Sequence, residues 1–291
     1  MLACPAFGAI QYKSGGTFAD VSAVQYKSAG TFSDVTPMAY SGAAWYALIS
    51  YGVYHEYHLF TIWGQSNPQG QGVAADSVTG TGGLEIKTNN TIVNPIMDPT
   101  GQTITGGFTA ANTGSSWPAF AKKYAELSGS TPILLILGVP GAGLTVEWVT
   151  GYPMWSEDLY PLASAHVSNA LEYLQGQGYD VDFNGIIWWQ GETDAITSQG
   201  ASDYQAGLTS FVETALSDFS EWENLNFYIV KIKDNDILDY QIRNADDAVA
   251  AANSRVFVAY ENPYTAGDQH HSQAEYNIIG EAVAAYILGA E

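Results

Sequence analysis

Hydrophobic residues follow two rhythms along this chain. From about residue 55 onward, short unbroken apolar runs recur at Tyr57–Trp63, Pro132–Val139, Gly185–Trp189, Asn226–Ile232 and Arg255–Tyr260. They are rich in Ile, Val and aromatics and do not alternate with polar residues, which predicts strands covered on both faces of a parallel sheet. Between them the period changes. Trp117, Phe120, Ala121, Tyr124 and Leu127 are spaced as one face of a helix, with Ser115 or Ser116 as its cap. Residues 157–175 and 239–253 also read as helices, and "SDYQ" at 202–205 reads as a capping box that opens another. The final helix lies in "SQAEYNIIGEAVAAYIL", where Ser272 caps and Glu275 reaches back. Five strands alternating with helices predict a three-layer α/β/α sandwich on a mainly parallel five-stranded sheet. The Gly-, Thr- and Asn-rich stretch from about 64 to 115 reads as a long insertion, and loops of that length usually carry function.

The first fifty residues behave differently. "AIQYKSGGTFADVSA" recurs fourteen residues later as "AVQYKSAGTFSDVTP", aligning Tyr12 with Tyr26, Phe18 with Phe32 and Asp20 with Asp34. A decayed third copy runs from Tyr40 through Trp45 and Tyr46. Each copy has two extended halves around a Ser-Gly-Gly or Ser-Ala-Gly turn, which predicts small β-hairpins. A unit this short leaves its apolar face uncovered, so it must stack on neighbours or on other subunits. The division expected is therefore 1–50, β-rich repeats for attachment or oligomerisation, and 51–291, one α/β domain. Such repeats loosely resemble those of phage tail proteins. That resemblance implies virion attachment or a homo-oligomer formed through residues 1–50.

Composition narrows the partners. Thirty acids against nine bases give a net charge of −21. That field repels a phosphate backbone, excluding nucleic acid, and it disfavours anionic membranes and polyanionic glycans unless bases cluster locally. No apolar run approaches the ~18 residues of a membrane span, so no membrane insertion is expected. No signal peptide is recognised in "MLACPAFGAI", which lacks a basic leading region. The single cysteine, Cys4, permits no internal disulfide and has no histidine placed to make it a nucleophile.

Three polar segments carry candidate chemistry. "HLFTIWGQSNPQG" is a strand running into a tight turn, with Ser66 just past the strand end, where open α/β sheets place their sites. "GIIWWQGETD" is a second buried strand ending in Gln190, Gly191, Glu192 and Asp194, polar groups that need partners. "DQHHS" at 268–272 pairs an acid with two of the chain's five histidines. By itself this is a polar turn entering a helix. Together with Ser66 it supplies a base and an orienting acid for a serine nucleophile, which needs both.

In this order, "GQSN", "WWQGETD" and "DQHH" resemble the SGNH hydrolases, and more narrowly their sialate-O-acetylesterase and acetylxylan-esterase branch. The resemblance covers residues 57 to 290. It implies Ser66 as nucleophile, His271 as general base by the D-x-x-H spacing, and Asp268 as its orienting acid, with His270 only a neighbour. It implies an oxyanion hole made by the backbone N–H of Ser66, that of Gly114 in "NTGSSWPAF" (Gly107 in reserve), and the side-chain amide of Gln190. Gln65, Asn67, Glu192 and Asp194 are expected to support the pocket. For Glu192 and Asp194 the other reading is a carboxylate pair doing acid–base work. No histidine stands at metal-ligand spacing and a serine mechanism needs no ion, so neither metal nor cofactor is expected. Trp148 and Trp155, in loop-like sequence, are candidates for stacking on sugar.

The expectation is a carbohydrate O-acetylesterase, an extracellular or virion-associated enzyme acting on a surface polysaccharide through an acetyl-enzyme. The alternatives are a free secreted acetylxylan-type esterase and a catalytically silent glycan-binding module.

Overall fold

A computed structural model describes residues 55–105, 108–110, 113–263 and 268–290, together with four short strands nearer the start of the chain. Those strands form two antiparallel pairs: β1 (Gln11–Ser14) with β2 (Thr17–Asp20), and β3 (Met38–Ser41) with β4 (Ala44–Ala47). They fall in the first and third repeats. The second repeat, 24–35, lies outside the described residues. The chain divides into two compact units, Met1–His55 and Glu56–Glu291.

The second unit is an α/β sandwich. Its chain order is β5 (Tyr57–Gly64), α1 (Ser66–Gln69), β6 (Leu84–Ile86), β7 (Ile92–Val93), β8 (Gly101–Thr105), β9 (Phe108–Ala110), α2 (Trp117–Ser128), β10 (Thr131–Gly138), α3 (Tyr160–Gly176), β11 (Val181–Trp189), α4 (Ser198–Asp218), β12 (Asn226–Val230), α5 (Ile237–Ala252), β13 (Val256–Tyr260) and α6 (Gln273–Ile287). The main sheet has seven strands in the order β13-β12-β11-β5-β10-β6-β7, all parallel except the edge strand β7. The five expected strands are there. The two further ones, β6 and β7, come from the stretch read as an insertion and are too short, at three and two residues, to leave a periodic signal.

Burial on both faces explains the unbroken apolar runs. On one side Phe60 meets Phe120 and Tyr124 of α2 edge to face, at 5.3 and 5.0 Å between centroids. On the other, Trp63 stacks on Trp155 at 5.8 Å and meets Phe211 of α4. The neighbours Trp188 and Trp189 divide likewise, Trp188 against Trp155 and Phe211, Trp189 against Tyr276 of α6.

Two helix starts depart from or refine the expectation. Helix α4 opens one turn before "SDYQ": Thr197 is the N-cap and its side chain accepts the Gly200 N–H, leaving Ser202–Gln205 in the helix interior. Helix α6 opens as expected. The Ser272 hydroxyl accepts the Glu275 N–H, and Glu275 accepts the Ser272 N–H at 2.7 Å.

Register levels the exits of the three central strands. Gly64 pairs with Gly138 on one side and with Trp189 on the other. Because β10 and β11 leave β5 in opposite directions across the sheet, the rim just beyond this row is a topological switch point.

Candidate active site

Ser66 stands at that rim because β5 ends in a turn only glycine can make. Gly64 has φ +142°, and a side chain there would strike the Trp189 carbonyl and Pro68. The chain then enters α1, a single turn, so the Ser66 N–H has no acceptor within the helix. Trp117 secures this turn from below, its indole N–H donating to the Pro68 carbonyl at 2.5 Å.

The histidine facing Ser66 is His270, not His271. Ser66 Oγ lies 2.9 Å from His270 Nε2, and His270 Nδ1 lies 3.5 Å from Asp268 Oδ1. Asp268 Oδ1 also accepts the His270 backbone N–H at 3.0 Å. His271 is instead buried, 5% exposed, with its ring 5.3 Å from Trp189 and 5.4 Å from Tyr276. Burial, with a smaller contribution from Lys233, pushes its pKa down to about 4, so it stays neutral. The correction has a local cause. Ser272 is the N-cap of α6, which makes His271 the preceding residue and Tyr276 the fourth helical one, the pair that forms a hydrophobic staple. That rule was the signal available in the sequence, and the D-x-x-H spacing hid it.

Two of the three expected oxyanion donors are turned elsewhere. The Gly114 N–H donates to the Gly72 carbonyl at 3.0 Å, and the Gly72 N–H returns a bond to the Gly114 carbonyl. A Cβ at Gly114 would strike the Gln273 side chain, so this glycine serves close packing. Gln190 is 1% exposed, and its amide nitrogen lies 2.6 Å from Asp194 Oδ2, 3.3 Å from Gln65 Oε1 and 3.3 Å from the Ala142 carbonyl. An amide has two N–H groups, and these acceptors occupy both. The reserve, Gly107, lies outside the described residues.

The supporting residues form a connected frame. Asn67 donates to Glu192 Oε1 at 2.5 Å and to the Gln269 carbonyl at 3.2 Å, while its own oxygen accepts the Tyr276 hydroxyl at 2.8 Å. It thereby ties the nucleophile turn to the segment that follows β11, to the histidine segment and to α6. Glu192 is 4% exposed, and burial raises its carboxyl to about 7. Asp194, fully buried, accepts the Leu144 and Thr145 N–H groups at 2.8 Å each and the Thr145 hydroxyl at 2.7 Å. These are bonds of a brace for the loop after β10, not of a free carboxylate pair. Gln65 Oε1 accepts from Gln190 and from the Thr193 N–H, both at 3.3 Å.

The two tryptophans separate. Trp155 is fully buried and donates to the Gly64 carbonyl at 3.1 Å, so it belongs to the core and offers no face to sugar. Trp148 is 55% exposed and lies over Gly141, edge to face with Tyr152 at 5.6 Å. Among the described residues, no group of three or more His, Cys, Asp or Glu is placed to hold a metal ion, and no helix is long and apolar enough to cross a membrane.

A serine and a histidine are in contact at the switch point of a doubly wound sheet, and the fold is the one that the resemblance to the SGNH hydrolases implied. Residues 56–288 match the model of the carbohydrate esterase family described as sialic acid-specific acetylesterase, and the chain belongs to that family. It is a carbohydrate O-acetylesterase. Solved structures agree on the fold. A protein from Arabidopsis thaliana superposes with a TM-score of 0.60 at 17% identity, covering 80% of this chain and 98% of its own. A structure titled NanS gives 0.56 at 14%, covering 81% and 98%. The inhibitor-bound aryl esterase of M. smegmatis gives 0.50 at 10%, covering 80% and 99%. No curated protein sequence matches the chain.

Proposed function

We propose that Ser66, His270 and Asp268 carry out the deacetylation as nucleophile, general base and orienting acid. The observation that carries this reading is the 2.9 Å approach of Ser66 Oγ to His270 Nε2. For the serine O–H to donate to Nε2, the ring proton must sit on Nδ1, the nitrogen that faces Asp268. Ser66 Oγ attacks the acetyl carbonyl while His270 takes its proton. The developing oxyanion is met by the Ser66 N–H at the start of α1. The tetrahedral intermediate collapses, the C–O bond to the sugar breaks, and His270 returns the proton to the departing sugar hydroxyl. Water, deprotonated by the same ring, then cleaves the acetyl-enzyme to acetate and free Ser66.

The substrate in this reading is an O-acetylated surface polysaccharide, held partly by the exposed face of Trp148, with residues 1–50 as the attachment segment. Charge supports an uncharged glycan. Basic side chains near the C-terminal ends of the strands are already engaged: Lys87, after β6, with Glu85 and the Gly101 carbonyl, Lys231 with Asp247 and Glu261, Lys233 with backbone carbonyls, and Arg243 of α5 with the Ile232 carbonyl and Glu261. Ser66→Ala is expected to abolish acetate release while leaving the protein folded. Wild-type enzyme is expected to release acetate faster from neutral acetylated polysaccharides than from anionic ones. Full turnover by the alanine variant would overturn the reading, and glycan affinity without acetate release from any substrate would favour a binding module.

A further inference from the structure

We propose that Lys233 is a positioning residue that holds the segment bearing Asp268 and His270 in register with Ser66, an inference that rests on His270 being the base. Lys233 follows β12 and is 7% exposed. Lysine is rarely buried without a partner. Here Nζ donates to the Asp268 carbonyl at 3.1 Å and to the His270 carbonyl at 2.7 Å. The carbonyl between them, Gln269, accepts from Asn67 at 3.2 Å. Three successive carbonyls are thus held alternately, two by the side chain of Lys233 and one by the nucleophile turn itself.

This clamp matters because the segment has little packing of its own at the reacting end. The side chains of His270 and Asp268 are 42% and 78% exposed. Their positions are fixed through the backbone, from below by His271 in the core and from the side by Lys233. Lys231, two residues earlier, makes the contrast clear, since it spends its amino group on the carboxylates of Asp247 and Glu261. Displacing a reacting group by about 1 Å costs on the order of a hundredfold in rate, so loss of the clamp should act on turnover more than on binding.

The test compares full-length Lys233→Met, which keeps the stem and removes the donors, with Lys233→Arg, which keeps both charge and donors. Measured are kcat and KM for p-nitrophenyl acetate, the rate of Ser66 labelling by a fluorophosphonate, and the unfolding midpoint. Lys233→Met is expected to lose about 30- to 100-fold in kcat and in labelling rate with KM little changed, and Lys233→Arg to recover most of the loss. If the Met variant does not fold, Lys233→Leu, which also keeps an apolar stem and lacks the donors, is read for the same split. A folded Met or Leu variant with kcat near wild type would overturn the clamp, as would an Arg variant as impaired as the Met one. Ser66→Ala and His270→Ala are measured alongside. An inactive His270→Ala beside an active Lys233→Met sinks the clamp alone, whereas an active His270→Ala sinks the base assignment beneath it.

Discussion

The ring of His271 packs on the ring of Tyr276, centroids 5.4 Å apart, and this contact decides which of two adjacent histidines meets Ser66. One residue fastens the segment to the core so that the other is presented at the rim.

The first prediction concerns that fastening and pH. The folded-state pKa of His271, about 4, lies below the ordinary 6.5, so the neutral form is the one the fold favours. Its contribution is present above pH 6.5 and is lost as pH falls toward 4, amounting to on the order of 3 kcal/mol across that window. His271→Phe keeps a ring against Trp189 and Tyr276 but cannot titrate. Denaturant unfolding from pH 7 to 4 should show the variant losing less stability than wild type, with identical slopes counting against the account.

Glu192 acts with the opposite sign in a similar window. Burial raises its pKa to about 7 from 4.5, so the protonated form is favoured by the fold, and its contribution fades as pH rises from 4.5 through 7. Glu192→Gln keeps an acceptor for Asn67 and stays neutral. The stability of the variant relative to wild type should therefore rise between pH 4.5 and 7 and level off above. A difference independent of pH would mean that Glu192 is ionised throughout.

Asp194 is expected to be the most costly of the supporting residues to remove. Asp194→Ala leaves the Leu144 and Thr145 N–H groups and the Gln190 amide without the acceptor they share. Equilibrium unfolding should show a loss of about 3 kcal/mol or more. A loss below about 1 kcal/mol would mean the loop after β10 is held by other contacts.

Trp155 and Trp148 should respond in opposite ways. Trp155→Ala opens a cavity beside Trp63 and Trp188, and it should cost about 3–5 kcal/mol of stability. Trp148→Ala should leave the unfolding midpoint nearly unchanged, and it should raise KM for an acetylated polysaccharide without affecting p-nitrophenyl acetate. Equal KM for the polysaccharide would remove Trp148 from substrate contact.

How much of this was legible in the chain follows from what each signal measures. The five long strands could be read because burial on both faces makes a sequence continuously apolar, and Ser66 because it follows such a run. Strands β6 and β7 could not, since five residues between them carry no period. The capping box at Ser272 is a short-range interaction and was legible; the "SDYQ" box matched the same pattern but lay inside a helix already capped by Thr197. Gln190 and Gly114 were misplaced for a different reason. Each is a donor with a distant competitor, Asp194 and the Gly72 carbonyl, and no local pattern reveals which acceptor lies closer.

The most direct measurement is acetate release by His270→Ala and His271→Phe, prepared side by side and shown to be folded. Turnover should fall by about a thousandfold or more in His270→Ala and stay within about threefold of wild type in His271→Phe. The reverse ranking would contradict the account, because it would place the base on the ring that lies between Trp189 and Tyr276.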